Sequence, residues 1–302
     1  MNRGYFLVFL TAIISGFSVF INKFGVNVIN PYIFTGLKSL VVVLLLTSFI
    51  FLLRDLKTLK SLTGKQWFLL ISIGLIGGSI PFLLFFKGLS LTSAAQGSFF
   101  HKTMFIYVTV LAVIFLKEKI DKRILIGGLF LILGNLILLK KLSFSLNQGD
   151  FFVILATLFW AVESIISKYA LKEIQGRTVA WARMFFGALF IFLFLFVTGQ
   201  LSLVANINII QIRWVLITSV LLFGYVITWY SGLKYIPVSQ ATVILLLGSP
   251  ITTLLSLFSG GRVSLEEILA GFLIVLCIIY ILGLKQIWQI IREARRVIYV
   301  RA

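Results

Sequence analysis

The chain is poor in almost everything that soluble chemistry draws on. Its 302 residues include one cysteine, one histidine, four prolines and nine acidic residues. The single cysteine, Cys277, lies in an apolar run, so no disulfide framework can form within the chain. No GxxxxGK[ST] loop is present, which excludes direct drive by ATP bound to this chain. No nucleophile motif accompanies the lone His101, and no cofactor is expected. Charge is scarce: 12% of residues are charged and 60% hydrophobic, against about 25% and about 45–50% in a soluble domain. With a mean hydropathy of +1.12, the chain reads as an integral membrane protein. Thirty Phe and 24 Gly agree with that, because Gly is commoner in membrane helices than in soluble ones.

The charge that is present is lopsided, 27 Lys and Arg against the nine acids, net +18. Such a balance can mark a nucleic-acid binder, but here the basic residues form no long block outside the C-terminal tail. They recur in short loops between apolar runs, the way a membrane protein records its orientation. No nucleic-acid partner is expected.

A membrane-crossing helix needs about 20 mostly apolar residues. Ten candidates follow, at roughly 5–27, 32–53, 66–89, 95–116, 122–139, 150–171, 178–198, 212–233, 238–259 and 264–284. All must be helical, since lipid offers no partner to open backbone groups. The first has a basic start but no small-x-small cleavage signal and reads as a retained helix. With the N-terminus in the cytoplasm, inner segments collect Arg54, Lys57, Lys60, Lys65, Lys117, Lys119, Lys122, Arg123, Lys172, Arg177 and Lys234. The outer loops hold only Lys140, Lys141, Arg213 and Arg262. Both termini are therefore expected in the cytoplasm, with the chain in the plasma membrane.

The two halves repeat each other. A shift of 145 pairs Lys23 with Lys168 and Lys38 with Arg183. A shift of 144 pairs "GLSLTSAAQ" (Gly88–Gln96) with "GLKYIPVSQ" (Gly232–Gln240), and Gly127 with Gly271. Five spans per half is an odd number, so the second half enters the membrane inverted, an architecture of transporters with a midplane site. The expected units are residues 1–141, residues 150–284, and a basic amphipathic tail at 285–302. In that tail Ile287, Ile290, Ile291, Ala294 and Ile298 share one face, which suits a helix lying on anionic inner-leaflet lipid.

On these features the sequence resembles the drug/metabolite transporter superfamily, specifically its EamA-like branch. The likeness rests on two five-helix halves, the "GL…Q" turns entering helices four and nine, and Pro250 in helix nine. To these it adds "FLKEKIDKRILIGGLFLILGNLILL" (Phe115–Leu139), with Glu118 at the acidic position after helix four. Ile106 stands where Pro250 stands, and Arg262 where Glu118 stands. The resemblance implies movement of small metabolites by alternating access.

Charged groups within a span cost about 2.5–3.5 kcal/mol on insertion scales and usually face a cavity or a partner. Lys38, His101, Lys102, Glu163 and Arg183 are such groups. In "GSFFHKTMFIYVTV" (Gly97–Val110), Ser98, His101, Lys102 and Phe105 follow i, i+3, i+4, i+7 spacing; Trp160, Glu163, Ser164 and Ser167 do the same on helix six. Glu163 reads as a static ion pair with Lys38, Lys102 or Arg183, as a site for a proton or a substrate amine, or as a carboxyl kept neutral by desolvation. Trp181, Tyr225, Trp229 and Tyr230 are cavity or interfacial aromatics. Lys23 and Lys168 are expected to snorkel. Gly74 and Gly78 have the spacing of close helix packing. The candidate substrate residues are Lys38, Ser98, His101, Lys102, Trp160, Glu163, Arg183 and Tyr230. An interior more cationic than anionic suits a solute bearing carboxylate or phosphate. The expected function is secondary-active or exchange transport of such a solute. The alternatives are a membrane scaffold without flux, or an embedded enzyme built on His101 and Glu163.

Overall fold

The computed structural model describes residues 2–124, 126–128, 146–260 and 265–299, and among them all regular structure is helical. The first half runs α1 (Asn2–Val28), α2 (Pro31–Leu52), a short α3 (Leu56–Lys60), α4 (Gly64–Ile73), a π-helical segment (Gly74–Ser79), α5 (Ile80–Leu91), α6 (Ala94–Lys102) and α7 (Met104–Leu116). The second runs α8 (Gln148–Ala170), α9 (Gly176–Val197), a 3₁₀ turn (Leu201–Asn206), α10 (Ile209–Leu233), α11 (Val238–Leu245), α12 (Gly248–Phe258) and α13 (Leu265–Tyr299).

Polar residues set the helix starts. Asn30 accepts from Tyr32 N and Ile33 N ahead of Pro31, while Thr63–Gln66, Asn147–Asp150 and Asn208–Gln211 form capping boxes. Eight segments are long and apolar enough to cross a membrane: Arg3–Val28, Pro31–Leu52, Gly64–Leu91, Gln96–Leu116, Gln148–Ala170, Gly176–Val197, Ile209–Leu233 and Val238–Phe258. A ninth counts if Ile268–Leu284 and Gln286–Glu293 are taken together; they are bent by 92° about Gly283, whose φ is 75°. The expected fifth span, 122–139, falls mostly outside the described residues, as do Lys140, Lys141 and Arg262.

The outward surface is rich in large apolar side chains such as Leu44, Phe51, Phe68, Phe115, Phe196, Phe258 and Phe272. On a soluble monomer that would be an aggregation hazard, whereas lipid is its natural solvent. Inside, α1 packs on α10, α5 on α8, and α2 on α9. The π-helical segment lies against α9 so closely that a Cβ on Gly78 would fall 2.1 Å from Arg183 O. Gly74, too, faces Phe186 and Gly187, so the GxxxG spacing serves contact between α4–α5 and α9.

Among the described residues, three spans are interrupted near their middles. One break is the π-helical segment. The other two are at Thr103, between α6 and α7, and at Leu246–Leu247, between α11 and α12. Thr103 and Leu247 are 144 residues apart.

Candidate functional site

One cavity lies beside the first two of these interruptions, with Phe82 after the π-helical segment and His101 and Met104 flanking Thr103 in its wall. Pro81 lacks the N–H that an α-helix would send to Gly77 O, so this carbonyl is open to outside donors. Trp160 Nε1 donates to it at 2.9 Å and Arg183 Nη2 at 3.0 Å. One freed carbonyl thus fixes side chains from α8 and α9. Glu163 rises beside the same turn: a Cβ on Gly77 would fall 2.2 Å from Glu163 Cγ. Only glycine leaves the carboxylate room there.

The cavity has a volume of about 60 Å³, space for a few waters at roughly 10–15 Å³ each. Its wall takes Ser15, Ser18 and Asn22 from α1 and Lys38 from α2. Phe82, Phe85 and Phe86 come from α5, with His101 and Met104 from either side of the Thr103 break. Trp160, Glu163 and Ser164 of α8, Arg183 of α9, and Leu222, Tyr225 and Trp229 of α10 close it with Val19.

Its electrostatics are unusual for a membrane interior. Lys38, Glu163 and Arg183 are 1%, 2% and 3% exposed, where an unpaired charge is expensive. Lys38 Nζ donates to Asn22 Oδ1 at 2.6 Å and sits 4.4 Å from the Phe86 ring centre. Arg183 lies over the rings of Phe82 and Tyr230, at 5.1 and 5.7 Å. These ring faces attract cations. Lys102 Nζ donates to Ser15 Oγ at 2.8 Å. Glu163 Oε1 accepts from Ser167 Oγ and from Tyr230 OH, the latter at 2.7 Å. No lysine or arginine nitrogen among the described residues comes within 4.0 Å of its carboxylate. The structure does not form the static ion pair weighed for Glu163. Three formal cations surround one carboxylate that none of them neutralises by contact.

Of the eight candidate residues, Lys38, His101, Trp160, Glu163 and Arg183 line the cavity. His101 packs edge-on to Trp160 with ring centres 4.9 Å apart, and its Nδ1 is buried without a partner. Lys102 and Tyr230 stand one layer back, reaching the wall through Ser15 and Glu163. Ser98 does not reach it: its Oγ is buried without a partner one turn nearer the start of α6. Ser98 and His101 share α6 one turn apart, and the cavity wall reaches only as far as His101. Trp181 also lies elsewhere, donating to Thr47 Oγ1 across the α2–α9 contact.

Sequence reasoning missed Ser15, Ser18 and Asn22, although their i, i+3, i+7 spacing carries the signal used on helices four and six. It also misplaced Lys23 and Lys168. They donate to helix-end carbonyls, Lys23 to Leu89 O and Thr92 O, Lys168 to Leu233 O and Ile236 O, instead of snorkelling.

An all-helical membrane fold around a charged central cavity defines a transporter architecture. The family model of the EamA-like transporter family matches residues 2–140 and again 147–283. The chain belongs to the EamA-like transporter family and is a membrane transporter, not an enzyme. It is similar to the uncharacterized transporter YoaV of Bacillus subtilis, 24% identical over 89% of this chain and 92% of that one. It is also similar to the uncharacterized transporter YyaM of the same species, 24% identical over 76% and 77%. The riboflavin transporter ImpX of Fusobacterium nucleatum is 25% identical over 79% of this chain and 84% of its own length. A solved crystal structure, 18% identical, shares the fold with a TM-score of 0.72 over 91% of this chain and 95% of its own.

Proposed function

We propose that the protein is a secondary-active or exchange transporter of a small polar metabolite bearing a carboxylate or phosphate. It works by alternating access between two inverted five-helix repeats, residues 1–141 and 150–284. The observation that carries the solute class is the cavity in which Lys38, Arg183 and the adjoining Lys102 outnumber Glu163. Two separate matches of the family model and the packing of α1 on α10 and α5 on α8 support the repeat. The solute's anion sits between Lys38 and Arg183; Glu163 orients a solute amine or carries a proton. The space of about 60 Å³ is small for such a solute, so loading is expected to widen it.

The aromatic wall of Phe82, Phe85, Trp160 and Trp229, with the name of the Fusobacterium relative, favours a second reading in which that anion is carried on a flat heteroaromatic body. Screening the purified protein against metabolites by thermal shift, then testing hits for flux in proteoliposomes, tests both. Flux of neutral or cationic solutes alone would sink the anionic reading.

Both termini face the cytoplasm, and the tail at 285–302 lies along anionic inner-leaflet lipid. The 92° bend at Gly283 supports this; of the predicted apolar face, Ile290 packs into the protein core, Ile287 is half-buried and Ile291 is exposed, and the side chains of Ala294 and Ile298 lie outside the described ones. Single cysteines near Asn30 and Ser93 should label from outside sealed cells and one near Lys60 should not. External labelling at Lys60 contradicts this orientation.

A further inference from the structure

The two "GL…Q" turns are not used by the central site, yet each carries several side-chain hydrogen bonds. Lys23 Nζ donates to Leu89 O at 2.9 Å and to Thr92 O; Lys168 Nζ donates to Leu233 O and Ile236 O, each at 2.7 Å. Every member of the first set lies 144 or 145 residues before its counterpart. Helix ends leave carbonyls without intrahelical partners, and a lysine satisfies them well. In each case lysine and carbonyls belong to the same half.

The glutamines ending the turns bond across the halves. Gln96 Nε2 donates to Asp150 Oδ2 at 2.8 Å, and Thr92 Oγ1 to Asp150 Oδ1 at 2.8 Å. At the face carrying the N-terminus, Gln240 Oε1 accepts from Tyr5 OH. Tyr5 and Asp150 are themselves 145 apart. That face has a second tie. Ser93 caps α6 through its own Oγ, accepting from Gln96 N at 3.1 Å. Pro237, its counterpart before α11, has no side-chain acceptor. The missing cap comes from the other half: Glu118 accepts from Val238 N at 2.8 Å, Ser239 N at 3.2 Å and Ser239 Oγ at 2.6 Å. A carboxylate at a helix start satisfies free N–H groups and the local dipole.

We infer that these turns are the two gates of the transport cycle. Each is fastened to its own half by a lysine and bolted to the opposite half: Gln96 and Thr92 to Asp150 at one face, Gln240 to Tyr5 and α11 to Glu118 at the other. Both bolts are formed in this structure. Opening a face requires parting its bolt, while the lysine bonds travel intact with each half. The inference rests on the alternating-access reading and deepens it.

The test places one reporter cysteine in the cavity wall, Ser18→Cys in a Cys277→Ala background, in the full-length protein. Labelling by a membrane-impermeant maleimide is timed from each side of sealed vesicles of known orientation. Gln96→Leu should speed labelling several-fold from the face opposite the N-terminus and slow it from the other. Gln240→Leu and Glu118→Ala should do the reverse, Glu118→Ala more strongly because it loses three bonds. Gln96→Asn, a milder change, should shift labelling in the same direction as Gln96→Leu in whatever fraction folds. Unchanged labelling, shifts of the same sign for both bolts, or no labelling from either face in any variant would overturn the inference. The readout needs no solute. Opposite-signed shifts with no flux in any screen would therefore leave the gates standing and remove the solute reading.

Discussion

At the cavity, positions 144 or 145 residues apart in the two halves carry different chemistry. In the first, Lys38 bonds Asn22, Asn22 Nδ2 donates to Ser18 Oγ at 2.9 Å, and Phe86 lies under the ammonium. At the equivalent positions of the second, Arg183 lies over Tyr230, and Ser167 donates to Glu163. Serine and phenylalanine in one half thus become a carboxylate and its phenol donor in the other. A symmetric scaffold can serve two faces of a membrane alike, but recognition of an asymmetric solute needs unlike walls. One wall offers a cation with neutral partners and the other a cation beside an acid. The same contrast recurs at the gates, where Ser93 caps in its own half and Pro237 leaves that duty to Glu118.

The sharpest way to break the comparison is to force the halves alike where they differ in bulk. Leu222 is the counterpart of Gly78. Gly78→Leu drives a side chain into Arg183 O, 2.1 Å from the would-be Cβ. Overpacking by rigid backbone exceeds the usual ~1–3 kcal/mol, so monodisperse protein on gel filtration should be nearly absent. Normal yield would mean that α4–α5 and α9 are not locked as described.

Next come the unlike cations. Arg183→Met removes the charge and the donor to Gly77 O; hydrogen bonds to charged groups contribute about 1.5–3 kcal/mol. Apparent solute affinity should fall roughly ten- to hundredfold by that measure, at about tenfold per 1.4 kcal/mol. Lys38→Met should fall toward the lower end of that range. Equal, small losses in both would erase the distinction between the walls.

A smaller effect is expected at Lys102, one layer back. Lys102→Met should lower apparent affinity by about threefold to tenfold, at ~0.7–1.4 kcal/mol, with the fold intact. Adding Glu163→Gln should not restore transport, because the two groups are not paired. Recovery in the double variant would show an ion pair in the working protein.

The smallest effect belongs to the tail. Ending the chain after Gln286 should reduce expression or uniform orientation, while flux per correctly folded molecule stays within about twofold, under ~0.5 kcal/mol. Lost flux at normal expression and orientation would place the tail in the transport cycle.

Hydropathy made the spans legible, because each apolar run must satisfy its own backbone in lipid. The helix breaks were less so. Pro250 cannot donate to Leu246 O, and a break appears there, yet the matching break at Thr103 has no proline; Ile106 stands at that position. Pro250 marks one interruption; at the other the Thr103 hydroxyl donates to Phe100 O at 2.7 Å, a local bond of the kind that bends helices. Spacing on single helices found Trp160 and Glu163, since a stripe on a continuous helix keeps its face. It failed for Ser98, which shares α6 with His101 but lies one turn beyond the cavity wall. The lysine bonds of Lys23 and Lys168 join residues more than sixty apart, and no local pattern reports which helix end a long side chain will find.

The central claim is that Lys38 and Arg183 hold the solute by its anionic group. Thermal stability of the wild type and of Arg183→Met should be compared with matched pairs of metabolites, a carboxylate or phosphate against its neutral amide or alcohol. The account predicts that only the anionic member raises the wild-type Tm, and that Arg183→Met loses most of that rise. Equal stabilisation by both members, or an undiminished rise in Arg183→Met, would contradict it.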